Sequence, residues 1–197
     1  LLPTLDTTPL IETTDYLKSF VDWTRYFKLV SVIGDSLNSN KNRFDKSDLL
    51  EYSIEIFSGG VVKWVDENGS DLVLPNGTKL EMKYVKGCLQ SSNRRTKNKI
   101  GSIKLLNSLG TCCHKTIPSD YAEYLLVCDS YMVCLIDTKT LSRYTINRGD
   151  GLYAEKIPSS LFCIVAKCGT SEIKQKMQFD YAEEKRKMQK RFIEQVV

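Results

Sequence analysis

The sequence predicts an α+β fold: a central mixed β-sheet containing an antiparallel meander and flanked by helices. Three observations carry this expectation. Apolar residues recur at helical spacing in the first third of the chain, two Asn-Gly dipeptides separate short alternating runs after Gly60, and three apolar, β-rich runs follow later. The 197 residues, 42% hydrophobic and 26% charged, suit one globular domain with a real core. We expect a single unit over 1–197, with a helical region at 1–44, a main body at 45–167 and a terminal helix at 171–197.

The elements follow in order. Thr14-Asp15 reads as the start of one helix running through YLKSFVDWTRYFKLVSVI, with Leu17, Phe20, Val21, Trp23 and Phe27 on its buried side. Asp45-Lys46-Ser47-Asp48 caps a second helix, LLEYSIEIF, in which Leu49, Leu50, Ile54 and Phe57 share a face. Gly59-Gly60 supply its stop. The period then changes to two in VVKWV, DLVL and TKLEMKYV, joined at Asn68-Gly69 and Asn76-Gly77; both residue types tolerate positive φ, so each join reads as a hairpin turn. The runs AEYLLVCD, YMVCLID and SLFCIVAK read as central strands of the same sheet. The final segment from Ser171 is helical by propensity, with Ile173, Met177, Tyr181, Met188 and Ile193 near one stripe.

Charge is segregated more than the net value of +4 suggests. Between Met82 and Ser119 there is no Asp or Glu, yet Lys83, Lys86, Arg94, Arg95, Lys97, Lys99, Lys104 and Lys115 all fall there. These eight positive charges exceed the net charge of the chain, so the remainder is net negative. A one-sided basic segment of this kind is the footprint expected for a polyanion, although charge runs are also ordinary solvated faces.

Seven cysteines, an odd number with no CxxC pair, sit largely in apolar runs and read as small buried hydrophobes. Cys112-Cys113-His114 lacks the ligand spacing of structural zinc. No apolar run approaches the roughly eighteen residues that span a bilayer, and the first twenty residues lack a signal-peptide pattern, so no membrane association is expected and an intracellular, cytoplasmic location is.

The strand Thr78 to Val85 carries the chemistry. Alternation sends Leu80, Met82 and Tyr84 to one face, and Lys79, Glu81, Lys83 and Val85 to the other. Asp71 enters from the neighbouring strand. Two converging carboxylates make a hard oxygen site that suits Mg2+, and an adjacent amine can hold or deprotonate a water for phosphodiester hydrolysis. An acid two residues before a lysine is common, however. Glu172/Lys174 and Glu183/Lys185 lie on the terminal helical segment, where a solvated face explains them. Asp137/Lys139, with Asp129 before it, is the better rival, but Asp137 also reads as a cap on a turn or short helix.

The stretch GSDLVLPNGTKLEMK, from Gly69 to Lys83, resembles the PD-(D/E)XK motif of type II restriction endonucleases, in particular small homodimeric members with a short spacing. The motif covers about fifteen residues, and a similar layout extends over 45–167; Ser70 stands where the family usually has proline. The resemblance implies a restriction-endonuclease-like fold and sequence-specific cleavage of double-stranded DNA by a homodimer, with a cognate DNA methyltransferase as companion. It further implies catalysis by Asp71, Glu81 and Lys83, with Mg2+ held by Asp71, Glu81 and the Met82 main-chain carbonyl. Many members add an acid from the preceding helix, for which Glu55 and Glu51 are the candidates, alongside a plain surface reading. Lys86, Arg94, Arg95, Lys97, Lys99, Lys104 and Lys115 would meet DNA phosphates, and Asn93, Asn98 and His114 would read base edges. A structure-specific or viral RNA endonuclease on the same fold, and a catalytically silent nucleic-acid-binding module, remain open alternatives.

Overall fold

A computed structural model of the chain describes residues 8–33, 46–67, 69–85, 99–100, 102–107 and 116–168. In chain order its elements are α1 (Thr8–Phe20), α2 (Trp23–Ile33), α3 (Lys46–Phe57), β1 (Lys63–Glu67), β2 (Ser70–Val73), β3 (Lys79–Tyr84), β4 (Lys99–Ile100), β5 (Ile103–Asn107), β6 (Tyr124–Cys128), β7 (Met132–Asp137), α4 (Thr138–Leu141), β8 (Thr145–Asn147), β9 (Gly151–Ala154), β10 (Ile157–Pro158) and β11 (Cys163–Lys167). The expected terminal helix at 171–197 lies outside the described residues.

The meander forms as the sequence predicts. β1 pairs antiparallel with β2, and β2 with β3. The first turn places Gly69 at φ +76° and the second places Gly77 at φ +86°, the left-handed backbone that Asn-Gly permits. In the second turn the Asn76 side chain accepts from the Thr78 N–H at 3.0 Å. The six-stranded sheet runs β1-β2-β3-β6-β7-β11, and all pairs are antiparallel except β3 with β6. The architecture is therefore α+β with a mixed central sheet flanked by helices.

Both faces of the sheet are covered, which explains why β6 has no polar alternation. Leu126 and Cys128 point into a core made with Leu10 and Leu17 of α1, Tyr26, Phe27 and Val30 of α2, and Leu50 and Ile54 of α3. Leu125 and Val127 point the other way, onto Ile103 and Leu105 of β5, Leu152 and Ala154 of β9 and Leu141 of α4. A strand buried on both faces reads as a continuous apolar run. β5, β9 and β8 form their own three-stranded antiparallel sheet over that second face, a layer that 138–160 did not announce in sequence.

One expectation is corrected in the N-terminal region. The single helix expected from Thr14 is two helices, the first beginning at Thr8, with a break at Val21-Asp22. The Asp22 N–H donates to the Phe57 carbonyl at 2.9 Å, and its side chain accepts from the Arg25 N–H at 3.1 Å, so Asp22 caps α2 and ties it to the end of α3. The Trp23 indole N–H donates to the Leu17 carbonyl at 3.0 Å across the break. The bend also moves Phe20 off the expected buried stripe; it is 48% exposed and stacks on Tyr16, with ring centroids 4.5 Å apart. The stop of α3 is as expected: Gly59 and Gly60 take φ +64° and +80°, and the Gly60 N–H donates to the Glu55 carbonyl at 2.8 Å.

The buried cysteines Cys128 and Cys134 are free and serve as small core residues, and Cys163 and Cys168 are free and half-buried. Among the described residues no helix is long and apolar enough to cross a membrane.

Gly69 gives the meander its most exacting position. A Cβ there would lie 3.0 Å from Tyr121 Cδ2 and 3.3 Å from Tyr121 Cα, on a backbone already at positive φ. Gly69→Ala is expected to cost at least about 1–2 kcal/mol from the backbone conformation alone. Urea unfolding checks this: the midpoint should fall with the slope unchanged, and a wild-type midpoint would show that the turn relaxes freely.

Candidate active site

β3 lies between β2 and β6, and its main chain alternates between them. The Glu123 N–H donates to the Lys79 carbonyl and the Val85 N–H to the Cys128 carbonyl, so odd-numbered residues of β3 turn their peptide groups toward β6. Met82 therefore turns its N–H and its carbonyl toward β2. There the ladder between β2 and β3 gives way after the Leu72/Leu80 pair, and the Asp71 side chain takes over: its Oδ2 accepts from the Met82 N–H at 2.7 Å.

Side chains alternate in the same way. Leu80 and Met82 are buried in the helix-side core, with Tyr84 packed against it. Glu81 and Lys83 stand on the opposite face, beside Leu125 and Val127 of β6. Lys83 Nζ donates to Glu81 Oε1 in a close ion pair. Glu81 is buried, and its other oxygen, Oε2, has no hydrogen-bond partner among the described residues.

Asp71 and Glu51 complete an acidic group. Burial first, and the Glu81 charge second, push the Asp71 carboxyl up to about 6, against the opposing pull of the Met82 N–H and Lys83. Glu51 of α3 is buried too. Its carboxyl is pushed up to about 8, by burial first and then by Asp71 and Asp48, while the Trp64 indole and Lys83 pull it down. Glu51, Asp71 and Glu81 thus share one electrostatic neighbourhood with Lys83. Among the described residues no three His, Cys, Asp or Glu side chains converge as a metal-holding group. One oxygen of Asp71 faces the Met82 N–H and one oxygen of Glu81 faces Lys83.

Of the two helix acids named from sequence, Glu51 faces Asp71 and Glu55 does not. Glu55 is occupied by β1: its Oε2 accepts from the Trp64 N–H at 2.8 Å and its Oε1 pairs with Lys63 Nζ at 3.3 Å. The expectation of Glu55 as a metal ligand is corrected accordingly, because both oxygens are used in bracing helix to strand.

The rival acids are apart from one another. Tyr124 pairs with Asp137 at one end of the β6–β7 hairpin, and Asp129 sits at the turn beyond the other end. Asp129 is fully buried, with Oδ1 accepting from the Tyr131 and Met132 N–H groups at 2.8 Å each. Asp137 caps α4, accepting from the Lys139 N–H at 2.9 Å. Both are turn-building residues.

Of the expected DNA-contacting residues, Lys86, Asn93, Arg94, Arg95, Lys97, Asn98, His114 and Lys115 lie outside the described residues. Lys99 begins β4, which pairs with β10. Lys104 stands on the outer face of the three-stranded sheet, 3.1 Å from Asp150 Oδ2 and with Nζ 5.4 Å from the Tyr153 ring centroid, so its charge is matched locally.

Sequence reasoning missed Tyr121. Its ring packs on Gly69, and burial, then the charges of Glu81 and Asp71, raise its phenol far above the usual range, so it remains a protonated donor. Nothing in S-D-Y-A marks it: it reaches the site through the fold. No protein-family model matches the chain, and no curated protein or solved structure matches it.

The raised carboxyls set a pH dependence. Asp71 and Glu51 titrate higher in the folded chain than in the unfolded chain, so the folded state binds more protons between pH about 4 and about 8. Their contribution to stability is fully present below the ordinary carboxylate range and is lost as pH rises through about 6 and then about 8. Without divalent ions, the melting temperature should fall from pH 5 to pH 8. Glu51→Gln with Asp71→Asn should flatten that fall, and an unchanged pH slope in the double variant would remove these two groups as its cause.

Proposed function

We propose that this chain is a magnesium-dependent endonuclease of the PD-(D/E)XK kind, restriction-endonuclease-like in fold, that hydrolyses phosphodiester bonds of double-stranded DNA at specific sequences. The observation that supports it is the gathering of Asp71, Glu81 and Lys83 on two neighbouring strands of the meander, with Glu51 of α3 beside Asp71.

The residues suit a hard divalent cation on two grounds. Three buried acids share the site with one lysine, an excess of negative charge that burial makes costly. Glu81 Oε2 is also a buried acceptor with no donor. Asp71 and Glu81 would hold the ion, with the Met82 carbonyl on the same side of β3 as Asp71. When bound, Mg2+ supplies charge stabilisation at the scissile phosphate and activates water. Lys83 would orient the attacking water through its ammonium N–H groups, itself held in place by Glu81. The desolvated apolar surround, Leu125 and Val127 among it, strengthens each of these interactions.

Cutting both strands of a short symmetric site is most simply done by two identical centres about a two-fold axis, so the acting form is a homodimer. A cognate DNA methyltransferase is its companion under this reading. The basic segment from Lys86 to Lys115 supplies phosphate contacts. Arg94→Ala with Arg95→Ala should reduce the slope of log affinity against log salt by roughly one per lost contact; an untouched slope would take the two arginines out of the interface.

Plasmid digestion with Mg2+ tests the activity itself: discrete bands mark site-specific cutting, a smear a general nuclease, and intact plasmid a silent binding module. Lys83→Ala should keep duplex affinity in Ca2+ and lose most cleavage, whereas Asp71→Ala should lose metal binding and cleavage together. Near-normal cutting by Lys83→Ala, with wild-type thermal stability, would overturn the proposed site.

A further inference from the structure

Two buried polar atoms beside this site lack partners among the described residues: Glu81 Oε2 and Tyr121 Oη. One can only accept, and the other, held protonated, can donate. They face each other, since Glu81 is the nearest charge acting on the phenol and its side chain lies within hydrogen-bonding reach of it. An unmet buried donor or acceptor costs roughly 1–3 kcal/mol, so closing this gap satisfies two groups at once.

The tyrosine is built in. The Tyr121 N–H donates to the Pro118 carbonyl at 3.3 Å, and the next residue, Ala122, donates its N–H to the Gly69 carbonyl at 2.8 Å. The ring lies so close to Gly69 that even a methyl group there would crowd it. With backbone and ring fixed, the hydroxyl has little freedom except toward the carboxylate.

We propose that Tyr121 is a positioning residue for Glu81: its phenol O–H donates to Oε2 while Lys83 Nζ donates to Oε1, so that the carboxylate is clamped through both oxygens. A carboxylate offers about four lone-pair directions. Two taken by Tyr121 and Lys83 leave others for a cation, and the clamp fixes where they point. The consequence for a metal rests on the nuclease reading; the hydrogen bond does not. Partners that orient a metal-binding carboxylate typically change metal affinity by about 10- to 100-fold when removed.

The test uses the full chain with tyrosine ring carbons labelled, the Tyr121 signal being identified by its loss in Tyr121→Phe. Glu81→Gln should shift that signal, and Tyr121→Phe should weaken Ca2+ binding in calorimetry by about tenfold or more while the melting temperature stays close to wild type. A Tyr121 signal indifferent to Glu81→Gln overturns the hydrogen bond, and unaltered Ca2+ affinity in Tyr121→Phe overturns the positioning role. Should wild-type protein bind no Ca2+ and cut no plasmid while the signal still shifts, the nuclease reading fails and the Tyr121 to Glu81 contact stands.

Discussion

Putting an ionised carboxylate out of water costs several kcal/mol unless something nearby offsets it, and Glu81 is buried on the strand most tightly held in the fold. β3 is locked to β6 by a continuous parallel register from Leu80/Tyr124 to Tyr84/Cys128, and to β2 through Leu72/Leu80. That register gives Glu81 an apolar neighbour, Leu125, and Lys83 another, Val127. Water cannot solvate the pair well from that side, so the carboxylate and the ammonium must compensate each other. Shifting β3 by one residue would turn both charges into the helix-side core and bring Leu80 and Met82 out of it. The register and the charge pair therefore support each other.

Asp71 and Glu51 add a second consequence of the same constraint. The β2–β3 ladder gives way next to the charge pair, and a side chain rather than a main-chain carbonyl satisfies the Met82 N–H. This lets an acid sit where a plain ladder would have none, at the cost of a carboxyl raised toward neutral pH. Helix α3 then presents Glu51 to the same neighbourhood, where it is raised further. Each added acid makes the others harder to ionise, and together they form an electrostatic well for a cation.

Much of this was legible in the residues. The meander was, because Asn-Gly encodes a backbone conformation few other pairs tolerate, and alternation in TKLEMKYV assigned Glu81 and Lys83 to one face. The strands AEYLLVCD and YMVCLID were legible as buried because they carry no polar alternation. What was not legible depends on contacts distant in sequence. The break between α1 and α2 is made by Asp22 bonding to the end of α3, which local propensity does not encode. The strands β8 and β9 are three and four residues long and acquire their apolar role only by covering Leu125 and Val127. Tyr121 comes to the site from the approach to β6, through a crossover no local pattern describes.

The choice between Glu51 and Glu55 shows most clearly why side-chain roles lag behind element prediction. They are one turn apart on one helix, and periodicity puts both toward the sheet. What separates them is the first backbone N–H groups of β1. Trp64 offers its N–H at the level of Glu55, and Lys63 adds its ammonium. Ser58 closes the same corner, its Oγ accepting from the Val62 N–H at 3.0 Å. With α3 braced there, Glu51 is left one turn back, where the nearest features are the Trp64 indole and Asp71. Glu55 is thus the residue through which Glu51 acquires its place: the acid that resembles a ligand in sequence sets the angle of the helix, and the acid beside it inherits the site.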